Sequence, residues 1–234
     1  DLFTVLDRYL PRLKEGSVVT VTSKIVSICE GRVVSVDEAD KDKLVEQEAE
    51  HFLPPESNTH NMHLAIKHNT LIPSAGIDES NGNGFYILWP KDLQKSANEV
   101  REHLAKKHSL SRIGVIITDS KTTPLRWGVT GVCLAHSGFA ALNNYIGKKD
   151  VFGRELQVTK TSVMDGLGAA AVLVMGEGSE QTPLAVIEDV PFVKFQSRNP
   201  TKRELETLEM KSMKDDIYGP LLTSVKWQKG ESSA

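Results

Sequence analysis

Cysteine is scarce: Cys29 and Cys133 are the two in 234 residues. Two thiols cannot build the disulfide framework of a small secreted scaffold, and they suit a reducing, cytoplasmic setting. No run of about 18 apolar residues occurs, so no membrane span or membrane partner is expected. Neither sign of charge dominates. The 31 acidic and 28 basic side chains leave a formal net charge of −3. That balance excludes the concentrated positive footprint of a general nucleic-acid binder. The opening Asp1-Leu2-Phe3 has neither the basic segment nor the apolar core of a signal peptide, so none is expected. Walker A, dinucleotide-glycine and kinase signatures are missing, as are internal repeats, low-complexity blocks and an obvious linker.

What is present is enough for a globular chain. Hydrophobic residues make up 39% and charged residues 25%. A chain of this length buries roughly 70–75% of its unfolded surface without disulfide or metal staples. Leu2, Val5, Leu6, Tyr9, Leu10 and Leu13 recur at helical spacing, with Pro11 predicting a stop near Leu10. Residues 18–22 are β-branched and read as a strand, and 25–28 are apolar but ambiguous. Strands are expected at 32–36, 64–66, 70–72, 85–89, 129–134 and 184–187, and 113–118 reads as a strand buried on both faces. Helices are expected over 37–50, over 93–104 (Leu93, Ala97, Val100, Leu104), and over 166–175. The small side chains of the last would let it approach its neighbour closely. Residues 53–61 read as a loop, Thr201 with Glu204 as a capping box, and the polar tail after Trp227 as loose. Without a clean βαβ rhythm, the expected class is α+β with mixed sheets.

Three carboxylates share one local setting. Asp78 lies in a Gly/Ser/Asn-rich turn, Asp119-Ser120 follows the apolar strand, and Glu177 stands between Gly176 and Gly178. Carboxylates fixed at element ends can converge on Mg²⁺ or Mn²⁺, and neighbouring glycines let backbone N–H groups approach phosphate. The same residue types are also what ordinary turns are made of. His60-x-x-His63, with His51 and His68 nearby, lacks the convergent set that zinc needs, and reads as surface or hydrogen-bonding histidines. Cys133, in an apolar run, reads as a buried inert thiol rather than a nucleophile.

Five segments occur in a fixed order: Ser23-Lys24-Ile25-Val26-Ser27, Ala75-Gly76-Ile77-Asp78-Glu79-Ser80-Asn81, Ile116-Ile117-Thr118-Asp119-Ser120, Phe152-Gly153-Arg154-Glu155-Leu156 and Val174-Met175-Gly176-Glu177. Together they resemble the coenzyme F420-0:γ-glutamyl ligase family over residues 16–190. The division that follows is a catalytic region, 1–190, and a C-terminal extension, 191–234. The resemblance implies an F420-0:γ-glutamyl ligase-like α+β fold in an intertwined homodimer. It also implies a reaction: L-glutamate is joined by an amide bond to a carboxylate acceptor, with GTP (or ATP) consumed through an acyl phosphate. Two divalent cations, Mg²⁺ or Mn²⁺, and K⁺ assist.

Carried over residue by residue, Asp78 and Asp119 resemble ligands of one cation, and Ser120 and Glu177 ligands of the second. Ser23, Lys24, Asn81, Met175, Gly176, Gly178, Ser179, Glu180, Gln181 and Thr182 resemble nucleotide contacts. Arg126, like Lys24, would offset charge on the transferred phosphoryl group. The chain departs from the family pattern in four places. Ile28 replaces a lysine, Ser120 replaces a threonine, and Gly131 replaces an aspartate. Lys121-Thr122-Thr123-Pro124-Leu125-Arg126 replaces Phe-Gly-Arg-Pro-Trp-Arg. This last version resembles a branch proposed to glutamylate folate, so the expected acceptor is F420-0 or a folate. Two other readings stand beside it: an inactive nucleotide-binding regulator, motivated by Ile28 and Gly131, and a metal-dependent phosphohydrolase.

Overall fold

The computed structural model describes residues 1–232, and the expectation of a loose tail at residues 233–234 lies outside it. Helices are α1 (Leu2–Tyr9), α2 (Ser23–Glu30), α3 (Lys41–Glu48), α4 (Leu93–His108), α5 (Val163–Met175), α6 (Lys202–Glu206) and α7 (Gly219–Leu222). Strands in the first half are β1 (Ser17–Thr22), β2 (Val33–Ser35), β3 (His51–Leu53), β4 (Leu64–Lys67), β5 (Thr70–Pro73) and β6 (Phe85–Ile87). The second half adds β7 (Ile113–Thr122), β8 (Val129–Ser137), β9 (Leu142–Asn144), β10 (Lys160–Ser162), β11 (Leu184–Ile187) and β12 (Gln228–Lys229). The class is α+β, as expected. The chain forms two compact units. One comprises residues 1–23, 92–120 and 130–204, the other 24–91, 121–129 and 205–234.

The first unit is built on a sheet of order β11-β1-β7-β8. β1 runs parallel to β7, with Thr20 opposite Ile116 and Thr22 opposite Thr118, and antiparallel to β11. One face carries Val18, Ile116, Cys133 and Phe139 against Val163 and Leu167 of α5. α5 comes as close as its small residues suggest: a Cβ on Gly168 would lie 3.1 Å from the Cys133 backbone nitrogen. Burial pushes the Cys133 thiol far up, so it stays protonated and inert, as read from its neighbours. α1 stops at Tyr9, ahead of Pro11. Asp7 then ties it to α4 through His103 at 2.6 Å and Lys107 at 2.7 Å. The 201–204 capping box forms, with Glu204 accepting from the Thr201 N–H at 2.7 Å and donating its own N–H to Thr201 Oγ1 at 3.3 Å.

His136 is buried in this unit, edge-on to Phe139, and burial pushes its imidazole down to about 4. The unfolded chain takes up that proton near 6.5 and the folded chain only near 4. Between those values the unfolded state holds more protons, so stability falls as pH drops from about 6.5 to about 4. The full window is worth about 3 kcal/mol. His136→Phe should therefore lose less stability than the wild type between pH 7 and pH 4.5 in urea unfolding, by about 2 kcal/mol. Parallel pH profiles would remove His136 as a source.

The second unit holds a sheet of order β12-β3-β4-β5 and the β2-β6 pair. Its core is Val45, Ala49, Phe52, Ala65, Ala75, Ile77 and Leu88. Two open readings settle here and one expectation changes. The ambiguous residues 25–28 are helical, with Val26 and Ser27 buried. The polar tail is not loose at its start, because β12 pairs with β3, Gln228 opposite Phe52. His63, read as a surface or hydrogen-bonding histidine, lies beneath the surface and pairs with an acidic side chain. It is buried against Phe52, with Nδ1 3.3 Å from Asp42 Oδ1. His68 stacks on Trp89.

An ion triad built around buried Lys67 underlies Trp89. Arg32 Nη2 donates to both oxygens of Glu48 at 2.7 and 2.8 Å, and Lys67 Nζ reaches Glu48 Oε2 at 2.5 Å. Arg32 Nε also donates to the Trp89 carbonyl, and the Lys67 ammonium sits over the Trp89 ring. That ring presses on Gly76, where even a Cβ would lie 2.3 Å from it. Only glycine fits, and its φ of +73° follows left-handed Ser74 and Ala75 at +51° each.

Candidate functional site

In the second unit, Asp78 stands where the chain leaves this left-handed turn. Its backbone bridges Ile87 in both directions, N–H to O at 3.0 Å and O to N–H at 2.7 Å. The residue is thus fixed as an extended pair member, with the loop proper confined to 79–84. Lys24, in the first turn of α2, brings Nζ to 2.6 Å from Asp78 Oδ2. Ser80 donates its N–H to Asp78 Oδ1 at 2.7 Å and its hydroxyl to Oδ2 at 2.9 Å. Burial pushes the Asp78 carboxyl up, but Lys24 and Ser80 outweigh it and hold it below the ordinary carboxylate range. It is a half-buried, fully ionised group at neutral pH. Asn81 takes a left-handed φ of 55° within the loop. The structure pairs Lys24 with Asp78, a contact the sequence motifs did not name.

Arg126 lies elsewhere in this unit, in the exposed turn after β7 that also presents Leu125 and Trp127 to solvent. Its backbone N–H donates to Thr123 O at 3.2 Å.

In the first unit, Asp119 and Ser120 do not follow the strand. β7 runs on through them to Thr122. The reason is the neighbouring strand: β8 lies beside β7 and supplies pairing that the apolar run alone does not reveal. Asp119 Oδ1 accepts from the Ser120 N–H at 2.8 Å. The Ser120 hydroxyl donates to Glu177 Oε2 at 3.0 Å, joining residues 57 positions apart. Thr118, two residues before Ser120 and so on the same face, is fully buried, as is Thr20 on β1. Both hydroxyls lack a hydrogen-bond partner.

The 175–182 loop is pinned at both ends. Gly176 caps α5 with φ +82° and its N–H on Val172 O. The Thr182 hydroxyl donates back to the Met175 carbonyl, and Thr22 N–H donates to Pro183 O at 3.1 Å. Inside the loop, Glu180 Oε2 accepts from Gly178 N–H at 2.8 Å and covers Gly176. Ser179 and Gln181 complete the exposed segment, Gln181 with φ 56°. Ser23 is the buried first residue of α2. Among the described residues, no group of three or more His, Cys, Asp and Glu side chains is gathered as a metal cluster.

Two residues were not given roles by the sequence pattern. Ser80 has a readable signal, Asp-x-Ser, the spacing at which an Asp oxygen accepts from the N–H two residues on. Gly131 has none. A Cβ there would lie 2.4 Å from Gly168 O and 2.7 Å from Val172, so the aspartate suggested by the resemblance has no room beside α5.

Comparison with known proteins shows which family the chain resembles. A family model described as F420-0:Gamma-glutamyl ligase matches residues 2–189. A "Coenzyme F420:L-glutamate ligase" of Methanopyrus kandleri is 33% identical over 192 residues, 74% of this chain and 75% of that protein. Proteins of the same name from Methanocaldococcus jannaschii (33% over 200 residues, 77% of this chain and 79% of theirs) and Archaeoglobus fulgidus (32% over 191 residues, 75% and 76%) are similar. With a match spanning most of its length, the chain belongs to the F420-0:γ-glutamyl ligase family of amide-forming enzymes.

Proposed function

We propose that this protein joins the amine of L-glutamate to a carboxylate of F420-0, consuming a nucleoside triphosphate, and that it works as a homodimer. The observation that carries the reading is the paired geometry of Ser120 and Glu177 within a chain of this family. Their oxygens lie 3.0 Å apart. Adjacent ligands of an octahedral Mg²⁺, each about 2.1 Å from the ion, are spaced by about 3 Å. The donor set consists of hard oxygens, which suits Mg²⁺ or Mn²⁺. Asp78, Asp119, Ser120 and Glu177 are the residues that would hold such ions. When bound, divalent cations neutralise triphosphate charge and orient its oxygens.

A carboxylate acylates poorly because oxide does not leave. In the proposed reaction an acceptor carboxylate oxygen attacks the γ-phosphorus, and nucleoside diphosphate departs. The glutamate nitrogen then attacks the acyl carbon of that acyl phosphate, the bond from carbon to the bridging oxygen breaks, inorganic phosphate leaves, and the nitrogen gives up a proton. Lys24, which meets Asp78 at 2.6 Å, would offset phosphoryl charge. The pinned 175–182 loop offers backbone N–H groups to a nucleotide, with GTP as the first choice and ATP as the second, and K⁺ as an added activator. Exposed Leu125 and Trp127 in one unit, and Val151 and Phe152 in the other, support burial against a second copy.

The 121–126 stretch, unlike that of the family pattern, keeps folates among the acceptors to be screened. Purified protein with Mg²⁺ or Mn²⁺, K⁺, GTP or ATP, L-glutamate and each acceptor should yield a glutamyl mass increment by mass spectrometry, with F420-0 the expected acceptor. Nucleoside diphosphate should appear only when glutamate and acceptor are both present. Phosphate release without glutamate would make the protein a phosphohydrolase. Nucleotide binding without turnover on any acceptor would make it a regulator.

A further inference from the structure

We infer that Ser80 is the positioning residue that sets the orientation of Asp78, and that it gives Lys24 a second berth. The inference rests on the reading of Asp78 as a cation ligand. All three polar groups of Ser80 are committed to the pair. Its N–H holds Asp78 Oδ1 at 2.7 Å and its hydroxyl holds Oδ2 at 2.9 Å, so the carboxylate cannot rotate without losing both bonds. Its carbonyl accepts from Lys24 Nζ at 3.0 Å, and its Oγ lies 3.4 Å from the same nitrogen. Lys24 thus keeps an acceptor if a cation takes its place on Asp78 Oδ2, with the carboxylate unrotated. Groups that orient a metal ligand in this way are typically worth about 10–100-fold in affinity. Ser80 is exposed and makes no contribution to the core, so its replacement leaves packing alone.

The test is Mn²⁺ binding by titration calorimetry on the nucleotide-free, full-length protein, with thermal unfolding measured beside it. Ser80→Ala should weaken Mn²⁺ binding about tenfold at an unchanged melting temperature, and Ser80→Thr, which restores the hydroxyl, should recover it to within about threefold. A merely structural serine would move the melting temperature and not the affinity. Binding in Ser80→Ala within twofold of wild type would overturn the role of Ser80 while leaving Asp78 as a ligand. Wild-type protein that binds no Mn²⁺ would overturn the cation reading itself, and this inference with it.

Discussion

Asp78→Asn should lower glutamyl transfer about a thousandfold, the scale of losing a preorganised charge from an active site, while the fold stays intact. The two halves of that expectation come from different atoms. The position of residue 78 is fixed by its backbone, through the reciprocal bridge to Ile87 and the Gly76–Trp89 contact before it. Neither needs the carboxylate. The side chain, in contrast, holds one negative charge to which Lys24 and Ser80 are both directed. Asparagine keeps the shape and one acceptor oxygen but removes that charge, leaving Lys24 without its ionic partner. Divalent-cation affinity and turnover should therefore fall together. Steady-state assays of glutamyl product, with calorimetry of Mn²⁺ binding, check both effects. Retention of a tenth or more of wild-type turnover would remove Asp78 from the machinery.

What the sequence made legible follows from how local each signal is. The α4 face, the Pro11 stop and the Thr201–Glu204 cap each depend on residues within a few positions, and each is found. β3, β9, β10 and β12 have two or three residues apiece, too few for any periodicity, and exist because a distant partner pairs with them. β4 shows the opposite failure. Its alternation favours burying Leu64 and Ile66, yet the structure buries Ala65 and Lys67. The lysine goes inward because Glu48 waits for it 19 residues away. At the site, the ordered motifs named Lys24, Asp78, Ser120 and Glu177, and the structure joins them in two pairs. The steric demand at Gly131 was invisible, since it comes from the close approach of α5, a tertiary fact. That demand also gives the loss of an aspartate there a packing cause, so Gly131 by itself does not argue for an inactive protein.

The half-buried triad should respond asymmetrically to substitution. Glu48 is its only anion and serves two cations, Arg32 and Lys67. Burial pushes the Glu48 carboxyl up, but Lys67 and Arg32 outweigh it and leave it below the ordinary range. Lys67 is pulled below the ordinary lysine range by burial, which its bond to Glu48 only partly offsets. Removing the anion strands two charges, whereas removing Lys67 leaves Glu48 bidentate on Arg32. Glu48→Ala should therefore cost about 2–3 kcal/mol, below the value for a fully buried pair because solvent reaches Arg32 and Glu48. Lys67→Met keeps the apolar stem beneath Trp89 and discards a charge the interior disfavours, so it should cost no more than about 1 kcal/mol. The signs with pH differ too. The Glu48 contribution is complete above the ordinary carboxylate range and fades as pH falls through its lowered folded value. The Lys67 penalty is present at neutral pH and is relieved as pH rises toward the unfolded value of 10.5. Urea unfolding of both variants at pH 7 separates the two effects, and equal losses in Glu48→Ala and Lys67→Met would refute the asymmetry. Because Arg32 also holds the Trp89 carbonyl and the Trp89 ring bears on Gly76, two residues before Asp78, Glu48→Ala should in addition weaken cation binding at a temperature where the variant is still folded.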